Sequence, residues 1–232
     1  MSVKKICLFA LLIALGVPAF SQKKDDLYTL ETPKGKLHFV LYDETPLHKA
    51  NFKKRVKSKF YNGLLFHRVI QDFMIQGGDP DSKNAKKDAR LGSGGDELER
   101  IPFEYHPARF HKKGVIAAAR DGNPEKKSSA CQFYIVQGKP FTDIELNAFE
   151  ARNHLQYSEA QREVYKTLGG TPHLDKNYTV FGEVVGSTAL IDAIAAVQTD
   201  AYNRPVEDQR MKISIKKMKR QKITDKYGYK YL

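Results

Sequence analysis

Eight short segments of strand length are spread along this chain, with few helix-length stretches between them. They are the two halves of "YTLETPKGKLHFVLY" around a Pro-Lys-Gly turn, then "LLFHRVI", "FMIQGG", "GVIAAAR", "QFYIVQG", "YTVFGEVV" and "MKISIKKMK". "LHFVLY" alternates, with Leu37, Phe39 and Leu41 on one face and His38, Val40 and Tyr42 on the other. "MKISIKKMK" alternates as a closing strand does. Many short strands leave many edges to protect, and closing the sheet removes them. The expected fold is therefore mainly β: a closed antiparallel β-barrel of about eight strands with two capping helices. One helix starts at Pro46 behind Thr45 as N-cap and ends near Ser58, with Ala50, Phe52, Val56 and Phe60 as its apolar face. The other is "TALIDAIAAVQT", which buries Leu190, Ile191, Ile194 and Val197.

One segment breaks the β pattern. Between Pro140 and His173, Thr142 and Glu145 have capping-box spacing, as do Ser158 and Gln161. Gly169 and Gly170 then form a helix stop. Two short helices, 143–153 and 159–168, are expected, as a helical insertion over about 141–171.

The chain ends carry their own signals. Lys4 and Lys5 precede the apolar run "ICLFALLIALGV", and Ala19 and Ser21 occupy the small-residue positions of a cleavage site. Residues 1–21 read as a signal peptide cleaved after Ser21, which leaves Gln22 first and a polar leader to Asp26. The competing reading is an uncleaved anchor helix. The mature product would be exported, periplasmic or secreted, with no stable membrane insertion after cleavage. It would form one domain, 22–232. Cys131 would be its sole cysteine, excluding an internal disulfide. Its setting in "ACQFYIV" suits a buried thiol rather than a reactive one. The formal charge is +12, with much of the excess in a basic C-terminal tail of about 219–232. Such charge either solvates the surface or attracts nucleic acid, anionic lipid or acidic protein.

Most chemistries are excluded by what the chain lacks. It has no G-x-S-x-G, no H-E-x-x-H and no C-x-x-C, and its seven histidines are scattered. "GSGGDE" lacks the Lys-Ser/Thr of a phosphate loop. No cofactor or metal is expected, and nucleic acid is not an expected partner, since no recognition motif accompanies the charge. What remains is "FHRVIQDFMIQGGD", which sets Arg68 in an apolar run. If 65–70 is a strand, Phe66, Arg68 and Ile70 share one face and Leu65, His67 and Val69 the other. Phe73, Met74 and Gln76 follow within reach. Two readings stand: a guanidinium fixed beside an apolar shelf and an amide, or an Arg paired with a carboxylate.

These residues closely resemble the cyclophilin family of peptidyl-prolyl cis-trans isomerases. The resemblance runs from "FHRVIQDFMIQGGD" through "GVIAAAR", "SACQFYIV" and "HLDKNYTVFGEVV", and covers about residues 27–218 apart from the insertion. It implies a closed barrel of about eight strands with a helix at each open end. It implies rotation of X-Pro bonds in exported proteins, assisting their folding, with Arg68 as catalytic residue. Phe73, Met74, Tyr134 and Leu174 match the proline pocket. Gln76, Ala119, Arg120 and Gln132 match the groove that takes the peptide backbone, and His67 matches a groove-side histidine. Tyr178 stands where relatives carry His or Tyr. The implied partners are proline-containing peptides and unfolded or partly folded exported proteins, met by a monomer. The alternative is a non-catalytic peptide-binding or chaperone module using the same groove.

The chain departs from the pattern at two positions. Tyr134 replaces the usual Phe, which adds a hydroxyl that needs a partner if buried. His173 replaces the Trp that donates a hydrogen bond to cyclosporin in sensitive relatives. Cyclosporin is therefore expected to bind weakly. Isothermal calorimetry checks this, and a nanomolar dissociation constant would refute it.

Overall fold

The computed structural model describes residues 23–232. The expected signal peptide and Gln22 lie outside the described residues. The strands are β1 (Lys24–Thr32), β2 (Gly35–Leu41), β3 (Phe66–Ile70), β4 (Met74–Gly77), β5 (Val115–Ala118), β6 (Phe133–Val136), β7 (Val180–Val185) and β8 (Lys212–Lys219). The helices are α1 (Pro46–Lys57), α2 (Asp143–Asn153), α3 (Glu159–Thr167), α4 (Ala189–Ala195) and α5 (Arg220–Tyr227).

The strands form one antiparallel sheet in the order β3-β4-β6-β5-β7-β2-β1-β8. Full closure overstates how its ends meet. β3 and β8 share no ladder; the seam lies just before both, where Leu65 bridges Arg210. There Met211 N donates to Leu64 O at 2.8 Å, and Gly63 N to Met211 O at 2.9 Å. β3 is five residues long and its pairing slips between Phe66 and Arg68. Such a bulge bends its strand and interrupts pairing.

Alternation along the strands sorts two apolar sets. Tyr28, Leu30, Leu37, Phe39, Leu41, Phe133, Ile135 and Phe181 pack inward with α1 and α4. Phe52 of α1 plugs this core, its ring centroid 4.8 to 6.0 Å from those of Tyr28, Phe39, Tyr61, Phe133 and Phe181. The alternate residues, among them Leu27, Val40, Met74, Val115, Ala117, Tyr134 and Val136, form a second cluster on the outer face. Ile223 of α5 and Tyr229 beyond it cover part of that face. The basic tail is thus a packed element. The polar leader is packed too: β1 begins at Lys24 because Asp25 and Asp26 have cations to meet. Asp26 pairs with Lys53 and Lys217, and Asp25 with Lys49 and Arg220.

The two helices between Pro140 and His173 start as expected, each with a complete capping box. Leu146, Tyr157 and Tyr165 give them a small core of their own. Gly170 does more than stop α3. A Cβ there would lie 2.3 Å from His111 O and 2.6 Å from the Tyr165 ring, so no larger residue fits. The chain at 169–171 is threaded between Lys112 and Lys139, bridging both.

The start of α1 differs from expectation. Thr45 holds the N-cap position, but its hydroxyl makes no capping bond and is buried without a partner among the described residues. Glu104, far along the chain, does the work: its carboxylate accepts from Leu47 N and His48 N, both at 3.0 Å. The same carboxylate meets His48 Nδ1 at 2.6 Å, and His48 Nε2 meets Ser128 Oγ at 2.9 Å. His48 is buried on α1 with the expected Phe52 and Val56, whereas Ala50 is exposed, so the buried face extends to His48 and leaves Ala50 out. Burial raises the Glu104 pKa, but these hydrogen bonds outweigh it and hold the carboxyl below its ordinary 4.5. A carboxyl lowered in this way stabilises the fold at neutral pH, and that contribution fades as pH falls below 4.5. Glu104→Ala should cost about 2–3 kcal/mol, since it strips two helix amides and a buried His of a charged acceptor. Urea denaturation across pH 3 to 7 reads both effects; a variant as stable as wild type would overturn this role.

Candidate active site

The site grows from the β3–β4 hairpin. Its three-residue loop places Asp72 in the left-handed region at φ 60°, and Phe73 N closes the turn onto Ile70 O at 3.2 Å. The slip in β3 makes His67 the extra residue, since Phe66 pairs with Gly77 and Arg68 with the adjacent Gln76. The expectation that Phe66 and Arg68 share a face is therefore corrected. Phe66 packs into the inner core with Val69, whereas Arg68 stands on the outer face. Register then carries one row across the sheet: Arg68 opposite Gln76, Gln76 opposite Tyr134, and Tyr134 opposite Ala117.

That row opens into a cleft of about 100 Å³ lined by Arg68, Phe73, Met74, Gln76, Ala119, Arg120, Tyr134, Leu174 and Tyr178. Arg68 makes no ion pair among the described residues. Its Nη1 donates to Gln76 Oε1 at 3.3 Å, and its guanidinium carbon lies 6.0 Å from the centre of the Phe73 ring. The carboxylate-paired reading of Arg68 is thus not what the fold contains. Gln76 Nε2 donates in turn to Gln132 Oε1 at 3.2 Å. Gln132 Nε2 reaches Gly92 O at 2.9 Å and Gly94 O at 3.0 Å. A chain of amides thereby ties the guanidinium to the 92–94 loop.

The opposite side is aromatic. The Tyr134 ring meets Tyr178 edge-on at 5.9 Å, and the Arg120 guanidinium covers Tyr178 at 4.7 Å. Arg120 is held there by Nε donating to Asn177 O at 2.8 Å. At the strand edge, Ala119 N and O are both taken, by Gln132 O and Ser129 N. The Arg120 main chain has no such partner among the described residues, so it is the open position. The buried Tyr134 hydroxyl finds its partner at His111 Nε2, 3.0 Å away.

Three expected residues lie beside the cleft. Gln132 lines the adjoining cavity with Gln76. His173 is exposed and tilts over the Phe73 ring at 5.3 Å. His67 is buried behind Arg68, and neither ring nitrogen has a partner among the described residues. Burial pushes the His67 imidazole down to about 4, with Arg68 and Arg204 adding to the shift and Asp79 opposing it. It is neutral at physiological pH. Cys131 is buried, and burial pushes its thiol up. Sequence reasoning missed His111 and Asp175. They stand 64 residues apart, and only their polarity inside "RFHKKGV" and "HLDKNY" marks them.

The family model for cyclophilin type peptidyl-prolyl cis-trans isomerase/CLD matches residues 27–217. A Staphylococcus haemolyticus protein with peptidyl-prolyl cis-trans isomerase in its name is 33% identical over 182 residues, which cover 77% of this chain and 85% of that one. A Streptococcus pyogenes protein with bifunctional phosphatase/peptidyl-prolyl cis-trans isomerase in its name is 34% identical over 187 residues, 78% of this chain. The match takes in only 36% of that longer relative. The crystal structure of a Cryptosporidium parvum cyclophilin type peptidyl-prolyl cis-trans isomerase has the same fold, with a TM-score of 0.61 at 21% identity over 84% of this chain and 98% of that one. It is also known in the presence of the dipeptide Ala-Pro, with a TM-score of 0.60. A match running from β1 into β8, through every strand that lines the cleft, makes this chain a member of the cyclophilin-type peptidyl-prolyl cis-trans isomerase family.

Proposed function

We propose that this isomerase rotates X-Pro bonds in exported proteins, with Arg68 as its electrostatic element. The observation that carries the reading is a guanidinium without a carboxylate partner among the described residues, held by Gln76 in a cleft it shares with Phe73, Met74 and Leu174. The X-Pro bond is partly double, and its rotation faces a barrier of about 18–20 kcal/mol. Halfway round, conjugation is broken and the proline nitrogen is pyramidal and basic. A donor aimed at that nitrogen binds the twisted state better than either planar state, which is the condition for catalysis. Arginine stays charged and carries five N–H donors, so it serves without any proton transfer.

The other residues take roles their positions suit. Phe73, Met74, Tyr134 and Leu174 hold the proline ring. Arg120 offers its free main-chain groups to the peptide, and Gln76 orients the guanidinium. The structure of the Cryptosporidium parvum neighbour in the presence of the dipeptide Ala-Pro supports an X-Pro unit as the substrate element. The clients are unfolded or partly folded exported chains, and the protein acts as a monomer in a periplasm-like compartment.

Arg68→Ala should lower turnover of an Ala-Pro tetrapeptide about a hundredfold or more, as the loss of one preorganised donor does. A protease-coupled assay with circular dichroism as fold control measures it. Near-wild-type turnover in the variant would sink the mechanism, and no turnover in either protein would favour a binding module. Export has a separate test. N-terminal sequencing of the protein recovered outside the cytoplasm should begin at Gln22; a chain still starting at Met1 would exclude the proposed cleavage.

A further inference from the structure

The Tyr134 hydroxyl opens a buried polar relay that leaves the cleft and ends in the helical segment. Its oxygen lies 3.0 Å from His111 Nε2, with the two rings stacked at 14°. On the far side of that imidazole, Nδ1 lies 2.7 Å from Asp175 Oδ1, which also accepts from His111 N at 2.8 Å. Asp175 Oδ2 accepts from Tyr157 OH at 2.9 Å and from Tyr165 OH. Tyr165 belongs to α3, and Tyr157 to the link between α2 and α3. His111, Asp175, Tyr165 and Tyr134 are all under one-tenth exposed.

The chemistry of the donors fixes the direction of the relay. An ionised carboxylate only accepts, so the imidazole proton must sit on Nδ1. In the neutral imidazole Nε2 is then a bare acceptor, and the Tyr134 hydroxyl donates to it. Burial, with Tyr178 and Asp175 nearby, holds the Tyr134 phenol well above its ordinary pKa, so the proton it donates is present. The hydroxyl is thereby turned away from the cleft, which receives the ring and not the O–H.

We propose that His111 and Asp175 are positioning residues for the proline cleft, and that Tyr157 and Tyr165 of the helical segment hold them in place. The segment is then a part of the active-site scaffold. Removing the two tyrosine hydroxyls leaves a buried carboxylate short of donors, which costs free energy until it shifts or is rehydrated. Either response loosens the His111 contact and frees Tyr134 to turn its hydroxyl toward the proline ring. The inference rests on the cleft being the proline site.

The test is Tyr157→Phe/Tyr165→Phe, which keeps both rings and their packing. Its kcat/KM for the Ala-Pro tetrapeptide should fall about three- to tenfold, chiefly through KM, with the far-UV spectrum retained. The same pair of changes made in Tyr134→Phe should cost less than about twofold, because that ring has no hydroxyl to misplace. Equal losses in both backgrounds, or none in either, would overturn the relay. A second reading needs no variant: the ¹⁵N spectrum of wild-type His111 should be that of a neutral ring protonated at Nδ1 only, and a ring protonated at Nε2, alone or together with Nδ1, would overturn the direction assigned. If Arg68→Ala keeps its turnover, the proline-site reading itself fails. If Arg68→Ala loses turnover while the tyrosine variant matches wild type, the relay alone fails.

Discussion

A strand has two faces, and along most of this sheet both are buried. One face closes over α1 and α4, and the other is covered by α5, the chain beyond it and the Leu174 turn. Neither face has a place for an unpaired guanidinium, because a charge taken from water without a partner is expensive. Arg68 is accommodated because β3 spends one extra residue, His67, before pairing Arg68 with Gln76. Without that slip, with His67 paired in the ladder, the pleat would run on unbroken from Phe66 and Arg68 would share its face. Arg68 would then point into the aromatic core around Phe52. The bulge therefore places the charge at a half-open cleft and the neighbouring Phe66 in the core.

The reach of sequence reasoning follows from the range of the forces involved. Strands and helices were legible because their signals are local: alternation in "LHFVLY", and capping boxes at Thr142 and Ser158. Arg68, Phe73, Met74 and Gln76 were legible in one segment, the other cleft residues only through the family resemblance, and nine expected residues do converge on one cleft. What escaped is set by partners distant in the chain. Thr45 has the right residue type for a cap, but Glu104 reaches the α1 amides first. The bulge escaped because it is a relation between two strands, which "FHRVI" alone does not state. Gly170 read as a helix stop, whereas its role is to let two backbones touch.

The charge excess has a similar lesson. In sequence the basic tail reads as a solvated surface or a site for an anionic partner, yet its Arg220 contacts Asp25 and Asp43, and Lys217 of β8 contacts Asp26. Arg220 also lies over Tyr231, its guanidinium carbon 4.2 Å from the ring centre. Buried Asp25 and Asp26 would be costly alone, and the basic residues offset that cost. Cations of the last strand and helix thus pair with carboxylates of the fold and fasten these elements onto the first strand.

These fixings bear on how a cleft without a nucleophile can accelerate a reaction. A twisted amide differs from a planar one by small displacements, so a site that binds it better must hold its donors and walls still. Two separate networks supply that stillness here. Gln132 and Gln76 hold Arg68 from the loop side, and His111 with Asp175 holds Tyr134 from the helical side. They meet in one row of the sheet, where Gln76 lies directly opposite Tyr134. The backbone ladder between β4 and β6 is therefore the common reference for the charge and for the pocket wall. A disturbance of either network would move one side of the cleft against the other, and the fit to the twisted state would suffer before the fold did.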